Sequence, residues 1–339
     1  MRVFIIAEAG VNHNGSLETA KKLIDAAADA GADAVKFQTF KAGRLVTGTA
    51  AKARYQIENT GTNESQLEML KRLELSLDMH TELMSYCKEK NIMFMSTPFD
   101  EESADMLDEL GMSIFKIPSG EITNKPLVQH IAAKNKSIIL STGMSYLGEI
   151  EKAIGWIYEV WGKLGSRPQL TLLHCVSNYP AVVEDVNLSA MRTMSVAFGL
   201  PAGYSDHTMG VEVPVAAVAM GAQIMEKHFT LNRNMEGPDH KASLEPDELQ
   251  TMVNMIRNVE KAIGNGMKKP SQREEETRVL IRRSLVVARD IRKGEIIDRQ
   301  SIVIKRPGHG IAPEFMEQVI NRAAKKDLIK DSILTWDDF

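Results

Sequence analysis

The chain has 339 residues, of which 43% are hydrophobic and 25% charged, and its formal net charge at pH 7 is −4. This composition is typical of a soluble globular protein, and without a basic stripe we expect no nucleic-acid partner. No stretch reaches the roughly 20 apolar residues of a membrane span, and two cysteines, Cys87 and Cys175, cannot form a disulfide framework. We therefore expect a cytoplasmic protein with no membrane partner.

The first part of the chain alternates short β-rich runs with helical runs. Arg2 is followed by VFIIA, which predicts a strand rather than a secretory signal, and LETAKKLIDAAADAG (17–31) has helical spacing of its apolar residues. Eight β/α units favour a closed (β/α)8 TIM barrel, with an open doubly wound sheet as the alternative, although its GxGxxG loop is absent. The predicted strands are 3–8, 32–38, 92–98, 113–119, 137–142, 170–175, 201–206 and 222–229.

The composition changes after residue 263. The stretch 264–283, GNGMKKPSQREEETRVLIRR, is polar and charged, which predicts a linker with a helical turn. Residues 284–339 then show short β-rich runs with little helix, which predicts a small second domain. Because a domain of this size has a small core, we expect it to lean on another surface.

Each predicted barrel strand ends in polar residues, and in such barrels the carboxyl ends of the strands carry the chemistry. Side chains two apart along a strand share a face, so Lys36 and Gln38 point into the barrel together. By the same alternation Glu226 and His228 face inward and Lys227 faces the helices, which makes Lys227 a poor catalytic candidate. The polar strand ends are Glu8; Lys36 and Gln38; Ser96 and Thr97; Lys116 and Ser119; Ser141 and Thr142; His174 and Ser177; Ser205 and His207; Glu226 and His228.

Two histidines lie at the ends of neighbouring predicted strands. His207 follows the seventh strand and His228 ends the eighth, and two imidazoles with an acidic residue nearby are suitable ligands for a divalent transition ion. Two protein ligands leave coordination positions open for substrate and water. The alternative is that they are two unrelated core histidines. His80 and His130 fall in helical stretches and are expected at a surface or an interface.

The other strand-end residues combine two cations with many hydroxyls. Such a set suits a small phosphorylated carboxylate, because fixed charges and short hydrogen-bond donors recognise phosphate. A polar barrel mouth without this function is one alternative, and a Schiff-base aldolase with Lys36 or Lys116 as nucleophile is another. The set consists of Lys36, Thr97, Lys116, Ser119, Ser141, Ser177 and Ser205.

Nine motifs, in order along the chain, resemble the N-acetylneuraminate (sialic acid) synthase family, which includes legionaminate synthases. The tail, with IKRPGHGI (304–311), resembles the family's C-terminal antifreeze-like (SAF, β-clip) domain. The resemblance implies a TIM-barrel catalytic domain over 1–263, a linker over 264–283 and a SAF domain over 284–339. The motifs are IAEAGVNHNG (6–15), VKFQT (35–39), FMSTPFD (94–100), FKIPSGEI (115–122), ILSTGM (139–144), LLHCVSNYP (172–180), GYSDHT (203–208), EKHFT (226–230) and GPDHKASLEP (237–246).

The resemblance implies a reaction and its cofactor. The family condenses phosphoenolpyruvate with an open-chain N-acetylhexosamine; N-acetylmannosamine and water would give N-acetylneuraminate and phosphate by C–O cleavage. The same reaction on 2,4-diacetamido-2,4,6-trideoxymannose would give legionaminate, and this is the alternative product. The cofactor implied is a divalent metal ion, manganese first, with magnesium or cobalt as alternatives.

The resemblance also implies roles for individual residues. Arg306 is similar to an arginine that reaches into the partner subunit's barrel, which implies a domain-swapped homodimer. The catalytic residues implied are Glu8, Glu121, His207 and His228, the two histidines also holding the metal. Those implied for phosphoenolpyruvate are Lys36, Thr97, Lys116, Ser119, Ser141, Ser177 and Ser205. Those implied for the sugar are Gln38, Tyr179, Asp239 and Arg306.

The chain departs from the family pattern at three places. Ser177 stands where some members have asparagine, and Phe37 stands where others have histidine. The parity of the strand places Phe37 outside the site, so this change is expected to be harmless. An asparagine that contacts the sugar in the family has two competing matches here, Asn59 and Asn63, so the identity of the sugar is less well defined than the reaction.

Overall fold

The computed structural model describes residues 2–60 and 64–339. The chain divides into two compact units, Met1–Gly264 and Asn265–Phe339. Within the described ranges, no helix combines the length and the apolar character needed to cross a membrane.

The first unit is built on eight parallel strands. Hydrogen-bonded neighbours run in the order β3-β2-β1-β8-β7-β6-β5-β4, and β3 lies beside β4, which closes the sheet. The predicted (β/α)8 barrel is therefore confirmed, and each strand lies within two residues of its predicted bounds. The strands are β1 (Phe4–Gly10), β2 (Ala34–Thr39), β3 (Met93–Pro98), β4 (Ile114–Ile117), β5 (Ser137–Ser141), β6 (Leu170–Cys175), β7 (Ala202–Asp206) and β8 (Ile224–His228).

Helices follow the strands, and several begin at a polar cap. Ser16 Oγ accepts the Thr19 N–H at 3.2 Å and Asp100 Oδ1 accepts the Ser103 N–H at 2.8 Å, which satisfies backbone donors that a helix start leaves unpaired. The helices of this unit are α1 (Leu17–Asp29), α2 (Ala42–Leu45), α3 (Arg54–Thr60), α4 (Gln66–Lys71), α5 (Leu77–Glu89), α6 (Glu101–Glu109), α7 (Lys125–Ala133), α8 (Leu147–Lys163), α9 (Ser189–Phe198), α10 (Glu212–Ala219) and α11 (Pro246–Ile263).

The strand alternation sorts side chains into two cores. Phe37 belongs to the apolar layer between strands and helices, as its parity predicted, and Ile5 and Leu23 pack in the same layer. Inside the barrel a smaller group fills the space below the strand ends, as expected for a barrel that is packed rather than open. That inner group consists of Ile6, Ala34, Met95, Ile139, Leu173 and Ile224.

The connection from β2 to α5 is long and carries α2, α3 and α4. Its apolar residues form a separate buried cluster with Val11, which follows β1. This cluster lies near the carboxyl ends of the first strands, where the connections after β1 and β2 meet. The buried members are Val11, Phe40, Ala42, Met69, Leu70 and Leu73.

The second unit contains α12 (Gln272–Ile281), the antiparallel pair β9 (Ser284–Val287) and β10 (Ile302–Lys305), and the short α13 (Met316–Val319). α12 lies inside the predicted linker. The unit has its own apolar core, which includes Leu285 and Val319. Its small size and its β-rich elements agree with the SAF-like domain expected from the sequence.

Candidate active site

A cavity of about 320 Å³ lies at the carboxyl ends of the barrel strands. This volume is within the range of small-molecule sites. All but two of the predicted site residues line the cavity, although they come from every part of the first unit. Those that line it are Glu8, Lys36, Gln38, Thr97, Lys116, Ser119, Ser141, Ser177, Tyr179, Ser205, His207, His228 and Asp239.

The two remaining predicted residues lie elsewhere. Glu121 is not among the described residues that line the cavity, and its Oε2 accepts a hydrogen bond from Asn124 Nδ2 at 2.7 Å. Arg306 belongs to the second unit and is exposed. The roles implied for both residues therefore stay predictions.

Two lysines and two carboxylates form a buried charge network at the base of the cavity. Lys36 Nζ lies 2.6 Å from Glu8 Oε2 and 3.6 Å from Glu226 Oε2, and Lys116 Nζ lies 2.6 Å from Glu226 Oε1. Ser205 Oγ donates to Glu226 Oε1 at 2.9 Å. Glu226 was missing from the predicted site set, although strand parity already placed it beside His228.

The network determines which members carry charge. Burial favours neutral Lys36, but the charges of Glu226 and Glu8 outweigh it and raise the Lys36 pKa. Burial likewise opposes the charge on Glu226, yet Lys116 and Lys36 hold its pKa below the ordinary value. Burial raises the pKa of Glu8, partly offset by Lys36, and burial lowers the pKa of Lys116 against the pull of Glu226. Lys36 is thus held as a buried ammonium group.

The two predicted metal ligands lie together. The rings of His207 and His228 have centroids 5.6 Å apart, and the ring of Tyr179 lies 4.1 Å from that of His207 and 5.6 Å from that of His228. Burial lowers the pKa of His207 to about 4, and burial, followed by the charge of His207, lowers that of His228 well below its usual value. Both imidazoles are therefore neutral, as metal ligands must be.

Their hydrogen bonds fit a bound metal ion. His207 Nδ1 faces the carbonyl oxygen of Val176 at 2.5 Å, so this nitrogen carries the proton and Nε2 keeps its lone pair. His228 Nδ1 is buried and has no hydrogen-bond partner among the residues that the structure describes. Across residues 2–60 and 64–339, no group of three or more His, Cys, Asp or Glu side chains is placed to hold a metal. The residues fit an ion with two protein ligands and several open positions.

Hydroxyl groups surround Gly143, which follows β5. The Gly143 N–H donates to Ser119 Oγ at 2.9 Å, and Ser119 Oγ lies 3.1 Å from Cys175 Sγ. A Cβ at residue 143 would collide with Ser177 Oγ and lie 2.8 Å from Cys175 Sγ. A side chain here would force these groups to move, and together they form a cradle of short donors suited to phosphate.

On the β8 side of the cavity, Asp239 is buried, and burial, followed by the charge of Glu8, raises its pKa to about 7. Asn59 Nδ2 donates to the carbonyl oxygen of Pro238 at 2.6 Å, so Asn59 holds the backbone next to Asp239. The competing candidate, Asn63, lies outside the described residues.

Two polar side chains, Lys227 and His80, are buried on the helix side of the barrel. Lys227 faces outward as predicted, and its Nζ lies 2.5 Å from Asp206 Oδ2, with both side chains fully buried. His80 was expected at a surface or an interface, and the surface alternative is wrong, because His80 is fully buried. Its Nδ1 donates to Ser76 O at 2.8 Å and its Nε2 accepts from Thr39 Oγ1 at 2.7 Å, which fastens α5 to β2.

One side of the cavity is apolar, and strand-end reasoning missed it. Met69, Leu70 and Leu73, in and just after α4, line the cavity together with Val11. We call these four residues the α4 wall. None of these four residues lies in a predicted barrel strand. For Met69, Leu70 and Leu73, the apolar spacing within the β2–α5 connection was the only indication in the sequence that they are buried.

Comparisons with known proteins agree with this geometry. The model of the NeuB family matches residues 23–268, and that of the SAF domain matches residues 282–339. The N,N'-diacetyllegionaminic acid synthase of Campylobacter jejuni is 52% identical over 98% of this chain and 99% of its own. That of Legionella pneumophila is 49% identical over 99% of this chain and 94% of its own. A crystal structure of N-acetylneuraminic acid synthetase from Leptospira borgpetersenii has a TM-score of 0.71, 39% identity and coverage of 82% of this chain and 90% of that chain.

Proposed function

Because the chain belongs to the NeuB family, we propose that it condenses phosphoenolpyruvate with the open-chain aldehyde of an N-acylated amino sugar. Water is the third reactant, and the products are a nonulosonic acid and phosphate. The observation that carries this proposal is the cavity itself, in which the network of Lys36, Lys116, Glu8 and Glu226 lies beside two neutral imidazoles.

For the acceptor sugar, 2,4-diacetamido-2,4,6-trideoxymannose is the first candidate and N,N'-diacetyllegionaminate the product. Two full-length relatives with that product in their names, at 52% and 49% identity, support this choice. N-acetylmannosamine, which would give N-acetylneuraminate, is the second candidate, supported by the likeness to the Leptospira synthetase. The order is the reverse of the one expected from motifs alone.

Phosphoenolpyruvate is an anion, and the cavity offers it both hydroxyl groups and cations. The cradle around Gly143 offers the hydroxyls of Ser119 and Ser177 to phosphate oxygens. Lys36 and Lys116, each held by Glu226, offset the negative charge of the substrate and of the departing phosphate. Because the lysines are already fixed, little reorganisation accompanies the reaction.

The chemistry needs one water molecule and balances without a further reactant. C3 of phosphoenolpyruvate bonds to the aldehyde carbon, water adds at C2, and the bond between C2 and the phosphate oxygen breaks. The water oxygen becomes the keto oxygen, and its two protons end on the new hydroxyl and on phosphate. Glu8 is the base we assign to this transfer, because it lines the cavity and burial raises its pKa above the ordinary value.

A divalent ion on His207 and His228, when bound, would supply Lewis-acid polarisation of the aldehyde oxygen. The protein's own part is to keep both rings neutral by burial and to fix the His207 tautomer through Val176. Tyr179 packs against both rings and limits their rotation.

A Schiff-base aldolase fits the geometry less well. The nucleophilic lysine of such an enzyme must lose its proton, whereas Glu226 and Glu8 hold Lys36 in the charged form. Lys116 lies 2.6 Å from the same Glu226 carboxylate, but burial lowers its pKa, so Lys116 is the lysine on which the test of this alternative depends. Borohydride treatment in the presence of pyruvate should leave both lysines unmodified.

The proposal includes a domain-swapped homodimer. Three apolar side chains at the end of α12, Val279, Leu280 and Ile281, are 47%, 68% and 49% exposed in the single chain, and Arg306 is exposed in the second unit. A partner subunit would cover such apolar side chains. Light scattering coupled to gel filtration should give twice the 37.6 kDa of the chain.

The test of the reaction is a panel of sugars incubated with phosphoenolpyruvate and Mn²⁺, with products identified by mass spectrometry. A nine-carbon keto acid from an acylated amino sugar is the expected result. Formation of no such product from any sugar, by protein that is folded and dimeric, would contradict the proposed function.

A further inference from the structure

The α4 wall stands opposite the polar half of the cavity. The phosphate cradle and the serine hydroxyls come from β4 to β7 and the connections that follow these strands, with Thr97 on β3, whereas the wall comes from the connections after β1 and β2. Val11, Met69, Leu70 and Leu73 are 4%, 1%, 9% and 6% exposed. Phosphoenolpyruvate occupies the hydroxyl side under the proposed function, so the part of the acceptor sugar beyond its aldehyde is left facing the wall.

The wall is held rigidly in place. A capping box starts α4, in which Ser65 N–H donates to Glu68 Oε2 at 2.9 Å and Glu68 N–H donates to Ser65 Oγ at 3.2 Å. At the other end of α4, Gly15, with φ +74°, packs so tightly against the Arg72 carbonyl oxygen that a Cβ would collide with it. Leu73 follows directly, so its position is fixed by the loop after β1.

The chemistry of the wall discriminates between candidate sugars. N-acetylmannosamine carries hydroxyls at C4 and C6, and a hydroxyl pressed against an apolar surface loses its hydrogen bonds to water. A sugar with an acetamido group at C4 and no oxygen at C6 presents two methyl groups there instead, whose burial is favourable.

Two amide side chains, Gln38 and Gln56, are among the described residues that line the cavity. Gln56, in α3, lines the same cavity, and its Oε1 accepts the Ala53 N–H at 2.9 Å. This contact orients the Gln56 side chain. An amide beside apolar side chains matches an acylamino group, which is itself an amide that ends in a methyl group.

We infer that Met69, Leu70 and Leu73 determine the choice of acceptor by selecting an aldose with a second acylamino group and a deoxy terminus over its hydroxylated counterpart. This inference rests on the proposed function and adds the residues that select its acceptor sugar. Because an apolar pocket separates such ligands by roughly 10- to 100-fold, a preference of that size is expected in kcat/KM.

The experiment compares kcat/KM for 2,4-diacetamido-2,4,6-trideoxymannose and N-acetylmannosamine, by phosphate release, in four proteins. The wild type should favour the diacetamido sugar by at least about 10-fold. Leu70→Asn and Leu73→Asn should each lower that ratio about 10-fold or more, because asparagine is close to leucine in size and offers hydrogen bonds to hydroxyls. Leu67→Asn is the matched control, since Leu67 packs on the same cluster and is not among the described residues that line the cavity; its ratio should equal that of the wild type.

A titration of each variant with phosphoenolpyruvate, followed by intrinsic fluorescence, tests whether the variant keeps a folded site. If an asparagine variant does not fold, Leu70→Met and Leu73→Met replace it, because methionine conserves volume and polarity. These variants should keep the wild-type ratio of kcat/KM for the two sugars. A loss of selectivity in them would overturn the inference. Equal losses for both sugars in the asparagine variants would overturn it as well. So would a wild type that favours N-acetylmannosamine, although that result leaves the proposed function standing. A wild type that accepts neither sugar, nor any other, identifies failure of the proposed function instead.

Discussion

The buried pair of Lys227 and Asp206 gives the sharpest prediction about stability. Both side chains are fully buried, Lys227 Nζ also donates to the carbonyl oxygen of Thr208, and Asp206 Oδ1 accepts the Thr208 N–H at 3.1 Å. Lys227→Met would leave the Asp206 carboxylate in the interior without its cation. Removing one partner of a buried ion pair costs about 3–5 kcal/mol.

Thermal unfolding followed by circular dichroism measures this cost. For a unit of this size each kcal/mol shifts the midpoint by roughly 2–4 °C, so Lys227→Met should unfold roughly 6–20 °C below the wild type. The double variant Asp206→Asn with Lys227→Met removes both charges and should recover at least half of the loss, because no lone charge is then buried.

Lys163→Met provides the matched control. Lys163 pairs with Glu159 at 2.7 Å on the surface of α8, and its side chain is 72% exposed. Exposed pairs of this kind contribute about 0.5 kcal/mol or less, so the midpoint should barely move. A Lys227→Met protein as stable as the Lys163→Met protein would refute the reasoning about the buried pair.

Three further predictions concern the site. His207→Ala and His228→Ala should each abolish Mn²⁺-dependent phosphate release but leave phosphoenolpyruvate binding measurable by fluorescence; substantial turnover in either would exclude a shared ion. Gly143→Ala places a Cβ among three polar atoms of the cradle. Because charge-assisted hydrogen bonds to phosphate would be lost, the KM for phosphoenolpyruvate should rise about 10-fold or more. An unchanged KM would mean that the phosphate binds elsewhere. Burial raises the folded-state pKa of Asp239 to about 7, whereas its pKa in the unfolded chain is near 4. Between these two values the folded protein binds more protons than the unfolded chain, so the free energy of unfolding should fall as the pH rises from about 4 to 7. This one carboxyl group contributes at most about 1.4 kcal/mol per pH unit to that fall. Asp239→Asn should remove that part of the slope in urea denaturation, and an unchanged slope would contradict the assignment.

The barrel and its polar mouth could be predicted from the sequence for a definite physical reason. In a parallel barrel every strand is buried on both faces, so each apolar run ends where the strand meets solvent or substrate. Two-residue alternation then placed Lys36 inward and both Phe37 and Lys227 outward, which the packing confirms.

What the sequence did not reveal depends on contacts between distant segments. His80 is buried because α5 packs its imidazole against Thr39 of β2, and helical position alone does not show that. The α4 wall comes from a connection that looks like ordinary helix and loop until it folds over the strand ends. Glu226 was within reach of sequence reasoning, since the alternation that identified His228 places it on the same face.

The measurement that tests the central claim most directly follows the bridging oxygen of phosphoenolpyruvate. The substrate would carry ¹⁸O between C2 and phosphorus and react with the acceptor sugar and Mn²⁺, with both products analysed by mass spectrometry. Water addition at C2 with C–O cleavage sends the label into phosphate and leaves the keto acid with oxygen from water. Label retained in the keto acid before exchange with solvent would mean that the P–O bond breaks instead, and would contradict the mechanism assigned to this cavity.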